Sequence, residues 1–168
     1  MEECIFCKIV KKQLPAYIVY EDDNFMAFLD IRPMNPGHTL IIPKKHFQWT
    51  WEVPNFGEYF EVARKVALAI MKSLNSKMVH FITAGLGVLH AHIHVIPRFE
   101  NDGHAELPSF EKVKELKKEE MQEIAEKIKN HLKKEGSETK IEEEVQKDIE
   151  RELTEEEAEW IRREIEKV

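Results

Sequence analysis

The sequence predicts an α+β fold in which five strands, one central amphipathic helix and charged C-terminal helices follow one another. Three observations predict it. Five β-prone runs, separated by turn residues, fall within residues 17–97. One stretch in their midst carries apolar residues at helical spacing. The charge is also uneven: residues 1–110 hold 11 basic and 12 acidic side chains, whereas 111–168 hold 14 and 20. The chain therefore divides into a globular domain, residues 1–135, and a charged helical extension, residues 136–168.

In chain order, Ile5 to Val10 is a short apolar stretch that ends before Pro15. Tyr17–Tyr20 and Phe25–Leu29 flank the polar turn Glu21-Asp22-Asp23-Asn24, a hairpin signal. Asn35-Pro36-Gly37-His38 places Pro and Gly as a type II turn prefers, and Thr39–Ile42 then forms a third strand ended by Pro43. Tyr59, Ala63, Val66, Ala67, Ile70 and Leu74 predict a helix over 59–74. Met78–Thr83 is a fourth strand, Ala84-Gly85-Leu86-Gly87 a turn, and Val88–Pro97 a fifth strand. Phe110, Val113, Ile124, Ile128 and Leu132 predict a long helix with Ser109 as N-cap, ended by Gly136. Thr139 with Glu142, and Thr154 with Glu157, are capping boxes that start two further helices, the second carrying Trp160.

Composition excludes several classes. The 168 residues are 42% hydrophobic and 34% charged, which supports a core under a highly charged surface. No run approaches the roughly 20 apolar residues of a membrane helix, and no secretory leader is visible, so a cytoplasmic protein without membrane contact is expected. A net charge of −7 argues against nucleic acid as a partner, because a basic surface supplies most of that affinity. Two cysteines do not make a disulfide framework.

The chemistry concentrates in His90-Ala91-His92-Ile93-His94-Val95-Ile96. On a strand, residues two apart share a face, so three imidazoles line one side and Ala91, Ile93 and Val95 the other. Buried together they lose hydration, and charged together they repel. They are a solvated strand face, a three-histidine metal site, or a set with divided roles in which one is nucleophile or base for phosphoryl chemistry. Cys4 and Cys7, at C-x-x-C spacing, admit a structural metal, a redox pair or two spectator thiols.

The run His-Ala-His-Ile-His-Val-Ile resembles the signature of the histidine triad superfamily, and four other segments agree with that family in order. They are Cys4-Ile5-Phe6-Cys7-Lys8-Ile9, the hairpin from Tyr20 to Ile31, Asn35 to His46, and Lys118 to Ala125. The likeness covers about residues 1–135 and is nearest to the Hint/Hit branch. It implies an antiparallel five-stranded sheet with one central helix and C-terminal helices. It implies a hydrolase or nucleotidyl transferase that acts at the α-phosphate of a nucleoside phosphoramidate or dinucleoside polyphosphate. His92 would become nucleotidylated, while His94 and His38 would serve the phosphate. Asp30 would bind the ribose, Ile5, Phe6, Ile9, Leu14, Phe28 and Ile31 the base, and Gly85, Leu86 and Gly87 the phosphate. Cys4, Cys7, His46 and His90 would hold a structural zinc ion. The resemblance also implies a purine nucleotide, adenosine-containing, as substrate and a homodimer as assembly. The sequence departs from the family at Val79, where Asn or Gln is usual and Thr83 is the nearby substitute, and at Leu86, where Gln is usual. Those departures keep a second reading, a nucleotide-binding or scaffold protein with vestigial catalysis.

Overall fold

The computed structural model describes residues 4–85 and 87–135. Its elements are α1 (Ile5–Val10), β1 (Ile18–Glu21), β2 (Phe25–Leu29), β3 (Thr39–Pro43), a 3₁₀ turn (Thr50–Glu52), α2 (Phe56–Leu74), β4 (Met78–Ile82), β5 (Ile93–Arg98) and α3 (Lys118–Glu135). The strands form one antiparallel sheet in the order β1-β2-β3-β5-β4, the α+β architecture that the sequence predicts. The helices expected beyond Gly136, with Trp160, lie outside the described residues. None of the described helices is long and apolar enough to cross a membrane.

Strand alternation sorts the sheet into two faces. Phe25, Ala27 and Leu29 of β2, Ile41 of β3, and Ile93 and Val95 of β5 pack against the apolar stripe of α2 and against Met121, Ala125 and Ile128 of α3. This is the main core, and each fully buried aliphatic side chain contributes about 1.5–3 kcal/mol. Tyr59 of α2 satisfies its buried hydroxyl by donating to the Ile41 carbonyl at 2.7 Å, and its ring stacks on Phe25. The opposite face presents Met26, Phe28, Leu40 and Ile42 to Phe6 and Ile9 of α1. Among the described residues the helix on this second face is the six-residue α1, and this is where the histidines emerge.

The local signals act as expected at the turns. Asp22 Oδ1 accepts from the N–H groups of Asn24 and Phe25, which closes the β1–β2 hairpin. His38 N–H donates to the Asn35 carbonyl at 3.0 Å, with Gly37 at φ +89°, a value that favours glycine. The apolar run 5–10 is a helix because Phe6 and Ile9, three apart, bury one face on the sheet.

Two elements differ from expectation. The fifth strand does not span 88–97: pairing with β3 begins at Ile93, opposite Ile41. The backbone before it is used elsewhere, since His90 N–H donates to Val88 O and Ala91 N–H to Phe47 O. The last helix begins at Lys118, not at Ser109. Residues 109–117 are instead held by tertiary contacts: Lys114 N–H donates to Pro33 O, in the β2–β3 connection, at 2.7 Å, and Phe110 packs on His94. The helix is then opened by Glu120, whose carboxylate accepts the Lys117 N–H at 2.7 Å.

Candidate active site

His94 lies on β5 opposite Leu40 of β3, on the face that α1 covers. His92 stands just before the strand, with its ring centroid 4.8 Å from that of His94. Phe6 abuts His92 edge-on at 5.4 Å, and Phe110 abuts His94 at 5.0 Å. His38 enters from the turn before β3 and is buried behind His94.

Backbone groups decide where each imidazole carries its proton. Met34 N–H donates to His38 Nδ1 at 3.2 Å, so that nitrogen holds a lone pair. The His38 proton is therefore on Nε2, which donates to His94 Nδ1 at 2.9 Å. His94 in turn carries its proton on Nε2, a donor. His92 is set the opposite way: its Nδ1–H donates to the His90 carbonyl at 2.7 Å, which leaves Nε2 with a lone pair.

The electrostatics keep these rings neutral. Burial, then the neighbouring imidazoles, push His94 down to about 3, and burial with His92 does the same to His38. Burial also lowers His92, but the His90 carbonyl, the Asp30 carboxylate and the Ala84 carbonyl oppose it. Asp30 Oδ2 lies 3.7 Å from His38 Nδ1, a nitrogen that carries no proton, so this is no ion pair. Asp30 Oδ1 accepts from Arg32 N–H at 2.8 Å, which fixes the carboxylate at the end of β2.

These groups open on a cleft of about 980 Å³, at the upper end of the usual range for ligand sites. Ile5, Phe6, Ile9, Leu14, Phe28, Asp30, Ile31, Gly85, Gly87, His92 and His94 all line it, so most of the residues singled out from the sequence converge. Leu86 lies outside the described residues. Val79 packs toward the α2 core instead, and Thr83 lines the cleft. The sequence reading missed Trp49, Trp51, Arg32 and Phe110, which also line it. The Trp-x-Trp spacing was the available signal for the first two.

Cys4, Cys7, His46 and His90 gather beneath the cleft with their ligand atoms within 4.8 Å of one another. Cys4 Sγ is 3.4 Å from His90 Nδ1, and Cys7 Sγ is 3.3 Å from His46 Nδ1 and 3.5 Å from His90 Nδ1. A tetrahedral zinc ion with ordinary bond lengths separates a sulfur from a nitrogen by about 3.6 Å. The donor set fits such an ion. His90 Nε2–H donates to the Pro43 carbonyl at 2.8 Å, which frees Nδ1 for the sulfur side. Burial, and the neighbouring Cys4, push the Cys7 thiol up. A second group, Asp30, His38 and His94, is also close. Its two histidines spend facing nitrogens on each other, so it is a poor metal site.

Residues 11–101 match the HIT domain family. An uncharacterized HIT-like protein of Methanocaldococcus jannaschii is 38% identical over 133 residues, 75% of this chain and 98% of that protein. An adenylylsulfatase, HINT3 of Arabidopsis thaliana, is 38% identical over 108 residues, 60% of this chain and 54% of that protein. Among solved structures, a hypothetical histidine triad nucleotide-binding protein from Sulfolobus tokodaii superposes with a TM-score of 0.68 at 33% identity, covering 78% of this chain and 93% of that one. A zinc-bound histidine triad family protein from Mycobacterium smegmatis gives 0.68 at 28% identity, covering 81% and 97%.

Proposed function

The chain belongs to the HIT domain family, a superfamily of hydrolases and nucleotide-binding proteins, and we propose that it cleaves a nucleoside phosphate linkage through a covalent nucleotidyl intermediate on His92. The substrate class is a nucleoside phosphoramidate or dinucleoside polyphosphate, with an adenosine moiety. The carrying observation is the His92 tautomer: the Nδ1–H bond to the His90 carbonyl leaves Nε2 as a neutral lone-pair donor at the cleft wall.

In the first step the bond between His92 Nε2 and the α-phosphorus forms as the bond to the leaving group breaks. The leaving group departs with that bond's electron pair. The modified ring is cationic, and the 2.7 Å bond from Nδ1–H to the His90 carbonyl stabilises it. In the second step water attacks phosphorus, the N–P bond breaks, its electron pair returns to Nε2, and the water proton passes to solvent. His94 Nε2–H is the donor to a phosphoryl oxygen, and His38 keeps it in that tautomer. Asp30 takes the ribose hydroxyls, while Ile5, Phe6, Ile9, Leu14, Phe28 and Ile31 hold the base. Gly85 and Gly87 permit close approach of the phosphate.

Cys4, Cys7, His46 and His90 would hold a structural zinc ion, and its contribution is rigidity. Fixing the His90 ring fixes the carbonyl that sets the His92 tautomer. The domain comprises residues 1–135, followed by the charged extension 136–168, in a cytoplasmic homodimer.

The test compares wild type with His92→Ala on an adenosine phosphoramidate and a diadenosine polyphosphate, following nucleoside monophosphate release. The substitution lowers kcat/KM by at least about 10⁴-fold, the scale on which losing a nucleophile acts. Mass spectrometry of acid-avoiding quenches finds the nucleotide on His92. Equal turnover by the two proteins rejects the nucleophile. Tight nucleotide binding without turnover in wild type favours the alternative, a binding protein with vestigial catalysis.

A further inference from the structure

The cleft has a second aromatic wall that the triad chemistry does not use. Trp49 and Trp51 stack with centroids 5.3 Å apart and planes 8° from parallel. Trp51 remains 70% exposed, so its outer face is open. An indole left open beside a cleft is costly unless something covers it.

The pair is built in place. Glu52 Oε2 accepts the N–H groups of Gln48 at 3.0 Å and Trp49 at 3.2 Å, and Glu52 N–H returns to the Trp49 carbonyl. Thr50 between the two indoles is buried. The pair also adjoins the reacting groups. The Ala84 carbonyl acts on both His92 and His94. The next residue, Gly85, lies against Trp49 so closely that a Cβ there would stand 3.0 Å from Cζ3. The imidazoles, Ala84, Gly85, Trp49 and Trp51 thus follow one another along the cleft. In the same cleft the α1 slot is lined by Phe6 and Ile9, members of a core cluster to which neither indole belongs, and Phe6 meets His92 edge-on. Arg32 lines the same cleft and offers a positive charge to phosphates.

We propose that the Trp49–Trp51 stack is a second nucleobase platform, and that the substrate class is therefore a dinucleoside polyphosphate rather than a small-amine phosphoramidate. This rests on the reading that His92 attacks an α-phosphate. The first nucleotide sits in the α1 slot and is transferred to Nε2. The bond that breaks joins the α-phosphorus to its bridging oxygen. The second nucleoside leaves as its polyphosphate anion, stacked on Trp51. A π-face accepts any base, so the platform selects for having a second base and not for its identity.

The experiment uses the full chain. Wild type, Trp51→Ala and Trp51→Phe are given diadenosine polyphosphate and adenosine 5′-phosphoramidate. The alanine variant loses about tenfold more kcat/KM on the dinucleoside than on the phosphoramidate, and phenylalanine restores most of that difference. In parallel, calorimetry on the His92→Ala background measures binding of the dinucleoside and of AMP without turnover. There Trp51→Ala weakens the dinucleoside about tenfold more than AMP. Equal losses on both ligands, or none, overturn the platform even if His92 chemistry stands. A selective binding loss in a protein that turns over neither substrate supports the platform and rejects the catalytic reading instead.

Discussion

Replacing His38 tests the tautomer chain most directly, because its two ring nitrogens have two separable tasks. Nδ1 accepts from Met34 N–H at 3.2 Å, and Nε2–H donates to His94 Nδ1 at 2.9 Å. In His38→Ala both partners stay buried without their bonds, at about 1–3 kcal/mol each. Added to the small cavity, the loss of stability is about 3–5 kcal/mol. The catalytic loss has a different origin. Without the Nε2 donor, His94 is free to carry its proton on Nδ1, and its Nε2 then no longer donates to phosphate. Losing one such donor costs about 10²–10³ in kcat. Two conservative variants split the effects. A Gln amide nitrogen reaches about where Nε2 stood, so His38→Gln regains the bond to His94, its share of the stability, and rate. An Asn carbonyl reaches about where Nδ1 stood, so His38→Asn regains the bond from Met34 N–H and its share of the stability, but not rate. Urea unfolding and steady-state kinetics on the three variants give both readouts. If Asn rescues kcat as well as Gln does, the Met34–His38–His94 chain does not set the His94 proton.

Three further outcomes follow from the same geometry. Elemental analysis finds about one zinc per chain, and Cys7→Ser or prolonged chelation lowers the melting temperature; an ion held at 1,000 times its Kd contributes about 4 kcal/mol. Asp102, with its side chain 4% exposed, accepts from Arg98 at 2.7 Å, and that guanidinium holds its carboxyl well below the usual carboxylate range. A depressed folded value makes this stabilisation complete above the unfolded value near 4 and progressively lost as pH falls below it. Asp102→Asn accordingly costs about 3 kcal/mol at pH 7 and flattens the urea midpoint between pH 5 and pH 3. Gly85→Ala would set a Cβ 3.0 Å from Trp49 Cζ3, tighter than an ordinary contact, so the indole shifts by a few tenths of an ångström and its fluorescence changes.

The sheet was legible because its strands obey period 2 on both faces: Phe25, Ala27 and Leu29 face α2 while Met26 and Phe28 face α1. The cleft wall was legible through resemblance, since Ile5, Phe6 and Ile9 read as plain core by pattern alone. The start of β5 was not. Alternating His and aliphatic residues look like strand from His90 onward, but local bonds from His90 and Ala91 capture the backbone before β3 can. The arm at 109–117 departs from its pattern for a related reason. Phe110 and Val113 have helical spacing, yet the segment makes one turn, with Lys112 N–H on Ser109 O, and is then held by Lys114 N–H on Pro33 O, a partner 81 residues away that no local pattern reports. Trp49 and Trp51 have a two-residue spacing, but they lie at a 3₁₀ turn outside any strand, where that spacing does not report a shared face.

The letters of the triad could not assign roles because the roles are set by main-chain groups. The same imidazole is nucleophile, donor or metal ligand according to which nitrogen is protonated. Met34 N–H fixes His38 and, through it, His94. The His90 carbonyl fixes His92, and the Pro43 carbonyl fixes His90. Pro43 is the last residue of β3, the strand that pairs with β5. All four histidines are buried, so a ring in the wrong tautomer would face an unsatisfied polar group rather than water. The sheet register therefore selects the proton positions. A substitution that slips β5 against β3 by two residues would keep every His side chain on its face and still remove the nucleophile.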